Sequence, residues 1–173
     1  GTSLINANVA LEMDARLFSH TPRQWPAEFR NDPAALDPYV AQARAMLDPK
    51  PYPAHFPTLG KLSALELSAK VMQQPFYRPP INVNFVDQTN AFGVPQPACT
   101  LCGDCCSGCN DGAKNTTLMN YLPDASNHGA DIFCQARVSH VARDGAAWQV
   151  FFTGPPADPA DPAGVPVQMR VRA

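Results

Sequence analysis

The sequence has little charge and no concentrated run of it. Of 173 residues 16% are charged, the net charge is −2, and no stretch collects lysines and arginines. A protein that binds nucleic acid or an anionic membrane electrostatically needs such a basic patch. We therefore expect neither nucleic acid nor an anionic membrane surface among its partners.

Long hydrophobic runs and several familiar catalytic motifs are also missing. No apolar run approaches the length of a membrane-spanning helix, and no signal peptide is visible. The sequence has no Gly-x-Ser-x-Gly elbow, no Walker loop and no paired carboxylates, and its four histidines are scattered without ligand spacing. We therefore expect no membrane-spanning segment, and we assign no catalytic residue within this chain.

Cysteine, by contrast, is abundant and concentrated. Five of the six cysteines lie in residues 98–115. Four of them follow the spacing C-x2-C-x2-C-x3-C, with which bacterial ferredoxins hold a 4Fe-4S cluster by thiolates. These four are Cys99, Cys102, Cys105 and Cys109. Metal-like spacing of this kind favours a reducing compartment such as the cytoplasm over a disulfide scaffold.

The identity of the metal stays open at this level. A single iron–sulfur cluster would take Cys109, Cys106 or Cys134 as its fourth ligand, because in two-cluster ferredoxins the fourth cysteine serves the other cluster. Zinc accepts the same four thiolates. An iron–sulfur electron-transfer module, a zinc-stabilised structural domain, and free or bridged thiols are therefore three alternatives.

The hydrophobic pattern predicts an α+β fold with short helices. Asp37-Pro38 is a good helix start, and a helix is predicted over residues 39–47. Ser63-x-x-Glu66 is a capping box that predicts a second helix to about Gln74. Asn115 and Thr116 are plausible caps for a third helix through Leu122, whereas residues 1–9 are predicted to form a loop and residues 10–35 an irregular stretch.

Strand patterns occur before and after the cysteine-rich loop. The alternation of Ile81–Phe85 predicts a strand with one buried face. Residues 132–141, the Asp144-Gly145 turn and residues 148–153 predict a hairpin. Residues 154–166 are rich in proline and repeat Ala-Asp-Pro, which is typical of a surface excursion, and an alternating strand pattern follows to Ala173. Because the chain opens on Gly1 and ends within that strand, we expect it to be an internal fragment, inactive alone.

Three segments resemble the glucose-methanol-choline family of flavoenzymes, and particularly its bacterial cholesterol-oxidase-like branch. Gly1-Thr2-Ser3-Leu4-Ile5-Asn6-Ala7-Asn8 resembles that family's Gly-Gly-Ser-Leu-Val-Asn-Gly-Gly loop. The segment GCNDGAKNTTLMNYL at residues 108–122 is close to the branch's GCNxGAKNTLxxNYL. Residues 129–138 look like the strand that rejoins the FAD domain. Ala7 and Asn8 depart from the family pattern, because glycines are expected there.

The resemblance implies an FAD-dependent oxidoreductase that acts on CH–OH donors. In such enzymes an alcohol, here a sterol or a similarly apolar one, loses a hydride to the flavin, and oxygen or another carrier accepts the electrons. The residues that the resemblance places against FAD are Gly1, Thr2, Ser3, Asn6, Asn8 and Val138.

The resemblance also implies a domain organisation. The chain is expected to be part of a two-domain FAD-binding oxidoreductase. Residues 1–19 would form the FAD-contacting loop and the start of the substrate or cap region, and residues 20–97 a helical and irregular cap. Residues 98–115 would form the cysteine-rich loop, and residues 116–173 the helix and strands that return to the FAD-binding domain.

Overall fold

The computed structural model describes residues 2–20, 25–156 and 165–172. The chain forms two compact units, Gly1–Gly129 and Ala130–Ala173, which we call the first and the second unit. Short helices and small antiparallel sheets make the described residues α+β, as the sequence predicts. Gly1 and the Ala-Asp-Pro repeat lie outside the described residues.

The first unit contains short helices, 3-10 turns and two-residue strands. Its helices are α1 (Thr2–Ile5), α2 (Arg16–His20), α3 (Ala27–Asn31), α4 (Asp37–Leu47), α5 (Gly60–Val71) and α6 (Tyr121–Asn127). Single 3-10 turns span Pro33–Leu36 and Asp104–Cys106. Its two-residue strands are β1 (Lys50–Pro51), β2 (Pro80–Ile81), β3 (Gln88–Thr89) and β4 (Pro95–Gln96). β1 pairs with β2 and β3 with β4, both antiparallel.

The helix predicted at residues 39–47 is confirmed as α4. Pro38 lies in its first turn, where a missing N–H costs no hydrogen bond. Asp37 is the first helical residue and makes no capping hydrogen bond, so its predicted capping role is wrong. The helix ends at Leu47, and its C-cap residue, Asp48, adopts a left-handed conformation with φ of +43°.

The predicted start of α5 at a capping box is wrong. The helix begins at Gly60, and Ser63 already donates its backbone N–H to Leu59 O at 3.0 Å inside it. It ends at Val71, before the predicted Gln74, because Gln73 is left-handed with φ of +54°. No residue of α5 is buried.

The helix α6 also begins later than predicted. Asn120 is its cap, with its side chain accepting a hydrogen bond from Tyr121 N at 2.8 Å. Asn115, which was predicted to cap this helix, instead bonds to two other segments. Its Nδ2 donates to Leu47 O at 2.9 Å, and its Oδ1 accepts from Gln96 Nε2 at 2.7 Å. Pro123 falls in the first turn of α6 and is accommodated there.

The N-terminal third is more helical than predicted. Thr2–Ile5, expected as a loop, forms the helical turn α1, closed by a hydrogen bond from Asn6 N to Thr2 O at 3.2 Å. Residues 10–35, expected to be irregular, contain α2, α3 and a 3-10 turn. Pro26 lies directly before α3 and Pro33 is the first residue of the 3-10 turn, positions where proline is tolerated.

An extended segment at residues 80–84 is the centre of the first unit. On one side Asn82 N donates to Asn8 O at 2.8 Å, and Ala10 N donates to Pro80 O at 2.9 Å. On the other side Asn84 N donates to Ala113 O at 2.7 Å, and Asn115 N donates to Asn82 O at 2.9 Å. The strand predicted at Ile81–Phe85 therefore exists only in part, and it brings together two segments that resemble the flavoenzyme family.

The second unit is a three-stranded antiparallel sheet. Its strands are β5 (Arg137–Asp144), β6 (Ala147–Thr153) and β7 (Pro166–Arg172), in the order β5-β6-β7. Val138 pairs with Phe152 and Val150 with Met169. The hairpin is confirmed, but β5 begins at Arg137 and not at Ile132, because Gln135 is left-handed with φ of +57°.

None of the helices in the described part of the chain has the length and apolar character required to cross a membrane.

Candidate functional site

The family-like loop at the N-terminus folds into a tight turn after α1. Asn6 accepts a hydrogen bond through Oδ1 from Asn8 N at 2.8 Å, which is an Asx turn. Asn8 is left-handed, with φ of +60°, and it is buried at 6% exposure. Asparagine is among the few residues other than glycine that adopt this conformation readily. The replacement of the family's glycine by Asn8 therefore keeps the backbone turn.

Two kinds of contact hold the turn against residues 112–117, which we call the GAKNTT segment. Ser3 Oγ and Thr117 Oγ1 lie 3.2 Å apart at the surface and share a hydrogen bond. Beneath them, Lys114 is buried at 2% exposure. Its Nζ donates to three backbone carbonyls: Leu4 O at 2.7 Å, Asn6 O at 2.7 Å and Cys105 O at 2.8 Å. Sequence reasoning missed this lysine, although it lies in the most specific of the family-like motifs.

Asn8 also lines an apolar cavity of about 250 Å³. The wall opposite the turn is formed by apolar side chains and by the start of the cysteine-rich loop. The lining residues are Asn8, Tyr52, Leu59, Ile81, Val83, Phe85, Cys99, Leu101, Gly103 and Cys105. The predicted flavin contact Asn8 and two of the predicted metal ligands therefore face the same space.

An aromatic cluster that the sequence analysis missed supports this cavity. Tyr52, Phe56 and Phe85 pack edge to face, with ring centroids 5.2 to 5.9 Å apart. Tyr52 is fixed by its hydroxyl, which donates to Pro57 O at 2.7 Å. Tyr52 and Phe56 lie among the prolines of residues 49–57, and aromatic residues in such a proline-rich stretch are the sequence signal that could have indicated the cluster.

The four predicted ligand cysteines are neighbours in the sequence and influence one another electrostatically. Burial raises the pKa of the Cys99 thiol, a hydrogen bond from Leu101 N to Sγ at 3.4 Å opposes the rise, and repulsion from the other three thiols adds to it. All four thiols are free. Among the described residues, no three side chains of His, Cys, Asp or Glu are grouped so as to hold a metal ion. The geometry therefore gives the predicted metal site no support, and it stays a prediction.

The structure brings together four of the six predicted cofactor contacts. Thr2, Ser3, Asn6 and Asn8 occupy α1 and the turn that follows it. Gly1 lies outside the described residues. Val138 is in the second unit, on β5, with 53% of its surface exposed. The roles of all six residues stay predictions.

The chain belongs to the GMC oxidoreductase family, whose family model matches residues 1–155. That match includes residues 1–8 and residues 108–122, the two family-like segments that meet at the Asn8 turn.

Among curated proteins, the chain is similar to two bacterial cholesterol oxidases. It is 40% identical over 52 residues to the cholesterol oxidase of Acinetobacter baumannii, a match that covers 30% of this chain and 9% of that protein. It is 42% identical over 64 residues to the cholesterol oxidase of Mycobacterium tuberculosis H37Rv, covering 34% of this chain and 11% of that protein. The matches thus span about a tenth of the length of these relatives.

Proposed function

We propose that this chain contributes the flavin-facing turn and part of the substrate pocket of an FAD-dependent oxidoreductase that oxidises an apolar alcohol. The observation that carries the proposal is the position of Asn8. It lies in the segment that resembles the family's flavin loop, and it lines an apolar cavity large enough for part of a ring system. Membership of the GMC family and similarity to cholesterol oxidases support the flavin and the alcohol, respectively.

The residues of the turn fit one edge of a flavin. Thr2, Ser3 and Asn6 offer hydroxyl and amide groups, and the left-handed Asn8 keeps the backbone open at the position where the family has glycine. The buried ammonium of Lys114 lies behind the turn. A ring that carries carbonyls and ring nitrogens is matched by such short polar groups, so we assign the turn to flavin contact.

These residues suggest separate roles for FAD and for the chain. When bound, FAD would accept a hydride from the carbon that bears the hydroxyl group. The chain's part is to hold the turn rigid and to surround the alcohol with Ile81, Val83 and Phe85, which favour an apolar substrate and exclude water. We place no proton-accepting residue in this chain.

The direct test uses the protein expressed from its complete reading frame. We expect a flavin spectrum with one FAD per chain, and oxidation of sterol-like alcohols at least about tenfold more efficient than that of glucose or choline, since each buried methylene favours the apolar substrate. Protein without flavin would refute the cofactor assignment. Flavoprotein with a preference for polar alcohols would refute only the substrate class.

A second test asks whether the turn itself matters. Asn8→Gly retains the left-handed backbone, whereas Asn8→Val places a β-branched side chain where φ is +60°. We expect FAD affinity close to wild type for the glycine variant and a loss of about tenfold or more for the valine variant, in line with the strain of about 1–2 kcal/mol. Equal FAD affinity in the two variants would contradict the role of the turn.

A second candidate function is electron transfer through an iron–sulfur cluster on Cys99, Cys102, Cys105 and Cys109. Its support is the ferredoxin-like spacing of these four cysteines in the sequence. It is compatible with a flavin, since a cluster would pass electrons to an acceptor other than oxygen. Zinc would give the same thiolates a purely structural role.

Elemental analysis separates these alternatives. Protein purified without oxygen should contain iron and acid-labile sulfide if the cluster exists, and zinc without sulfide if the site is structural. Flavin without either metal would leave the cysteine-rich loop a structural segment and would remove this second candidate.

A further inference from the structure

We infer that Lys114 is a positioning residue that holds the flavin-facing turn by its backbone and connects it to the cysteine-rich loop. This inference rests on the proposed function as far as the flavin is concerned. The connection between the two loops is independent of it.

The geometry at the ammonium group is saturated. A lysine carries three N–H donors, and Nζ of Lys114 has three carbonyl acceptors within 2.8 Å. Two acceptors, Leu4 O and Asn6 O, belong to the last part of α1 and to the turn. The third, Cys105 O, belongs to the 3-10 turn of the cysteine-rich loop. One side chain thus fixes two segments that are about a hundred residues apart in sequence.

The location of the charge argues against an incidental surface contact. Lys114 is 2% exposed, and no carboxylate among the described residues forms an ion pair with it. Removing an ammonium from water is costly unless dipoles replace the water, and here three carbonyls do so. Without the ammonium, those three carbonyls would lose a strong donor at the same time.

The backbone of Lys114 is fixed independently of its side chain. Val83 and Lys114 form an antiparallel bridge, and Asn84 N and Asn115 N bond across the same pair of segments. The stem of the lysine therefore starts from a fixed point. Its ammonium therefore has a defined position against the turn that ends at Asn8. We expect removal of the ammonium to loosen this turn more than the segment that carries Lys114.

The test compares Lys114→Met and Lys114→Arg with two controls in the protein from the complete reading frame. Methionine keeps the length and apolar character of the stem, and arginine keeps the charge but presents a planar fork that cannot donate to three converging carbonyls. Lys61→Met removes an exposed lysine from α5, and Thr117→Val removes the surface hydrogen bond between Ser3 of α1 and the segment of residues 112–117.

Two quantities are measured: amide hydrogen exchange in the FAD-free protein, and the dissociation constant for FAD. For Lys114→Met we expect exchange at residues 3–8 and 105–107, and the dissociation constant, each to rise about tenfold or more, as loss of charge-assisted hydrogen bonds implies. Lys114→Arg should recover part of both. The two control variants should stay within about twofold of wild type.

Each contrary outcome has a defined meaning. Exchange at residues 3–8 in Lys114→Met that is no faster than in Thr117→Val would overturn the positioning role. Faster exchange with unchanged FAD affinity would overturn its relevance to the cofactor. If Lys114→Met does not fold, the arginine variant decides: exchange and FAD affinity identical to wild type would refute the requirement for three converging donors. A wild-type protein that binds no FAD would refute the proposed function, while hydrogen exchange still decides the role of Lys114.

Discussion

The two units of this chain are stabilised by different kinds of hydrogen bond. In the second unit, strands β5, β6 and β7 pair along their backbones, with one register shift in β5 between Val138 and His140. In the first unit, strands are two residues long, and much of the interior consists of polar side chains that bond to backbone. The buried polar residues are Asn8, Asn84, Gln96, Lys114, Thr116 and Asn120. Four of them bond to backbone groups through their side chains: Asn84, Gln96, Lys114 and Asn120. A buried polar network of this kind is stabilising only while every member is satisfied.

The comparison predicts that the first unit is the more sensitive to single substitutions of polar residues. Its segments carry few buried apolar side chains, of which Phe18, Val83 and Ala113 are described. An amide that bonds several backbone groups therefore replaces the apolar packing that usually fixes loops. In the second unit, side chains contribute less to the pairing of the strands.

The largest effect should come from Asn84→Ala. Asn84 is 5% exposed, and its Nδ2 donates to Gln96 O at 3.2 Å and Pro97 O at 2.8 Å while its Oδ1 accepts from Gln88 Nε2 at 3.0 Å. Alanine removes all of these hydrogen bonds at once, and we expect the free energy of unfolding to fall by about 3 kcal/mol. Urea denaturation would measure the change.

A matched control for Asn84 is Asn127→Ala. The exposed Asn127 donates a single hydrogen bond to Phe92 O at 3.1 Å, so its loss should cost about 0.5 kcal/mol or less. Similar losses for both variants would show that the buried network is not what stabilises the first unit.

The next largest effect should be that of Gly112→Ala, in the family-like motif. Gly112 has φ of +80°, and a Cβ there would lie 3.3 Å from Cε of Met119. The methionine end can move, so the strain comes mainly from the backbone, and we expect a loss of about 1–2 kcal/mol. Thermal unfolding would measure it. Gly60→Ala, at the start of α5 with open space around it, should instead be neutral or stabilising, and a loss there as large as at Gly112 would contradict the backbone argument.

The hairpin of the second unit offers a smaller effect. Gly145 has φ of +60° and is the first residue of the two-residue turn between β5 and β6, while Ala146 has a negative φ, which is the type II′ pattern. Gly145→Ala should destabilise the sheet by about 1 kcal/mol and increase hydrogen exchange in β5 and β6. Ala146→Gly is the control, and hairpin exchange equally fast in both variants would indicate that the left-handed conformation is not required.

The same contrast explains what the sequence could predict. Alternation and a glycine turn specify the hairpin locally, so Asp144-Gly145 and both strands were predictable, and α4 followed from its proline and helical spacing. The Asn8 turn and the GAKNTT segment were predictable only through family resemblance. The contacts between them were not, because Leu4 O and Asn6 O, two of the three carbonyl acceptors of Lys114, lie on a segment distant in sequence. Asn115 was misread as a helix cap for the same reason: its side chain serves Leu47 and Gln96, which no local pattern indicates.

The smallest effect concerns the cysteine-rich loop, and it depends on pH. Burial raises the pKa of the Cys99 thiol, with a further contribution from the neighbouring thiols Cys105, Cys102 and Cys109. Between the ordinary pKa and the raised one, the unfolded chain has lost this proton while the folded chain keeps it. The stability contribution is therefore full below the ordinary pKa and falls as the pH rises through this window.

The reactivity of the thiols tests this directly. In metal-free, reduced protein at pH 8, Cys99 should react with iodoacetamide about threefold or more slowly than the exposed Cys134, because only the thiolate attacks. Peptide mass spectrometry after short pulses would give both rates. The ratio should shrink as the pH is raised and should approach one in concentrated urea, where burial and neighbouring thiols no longer act. A ratio of one in the folded protein at pH 8 would mean that Cys99 is as accessible and as acidic as a surface thiol, and the loop would then not bury it against the cavity.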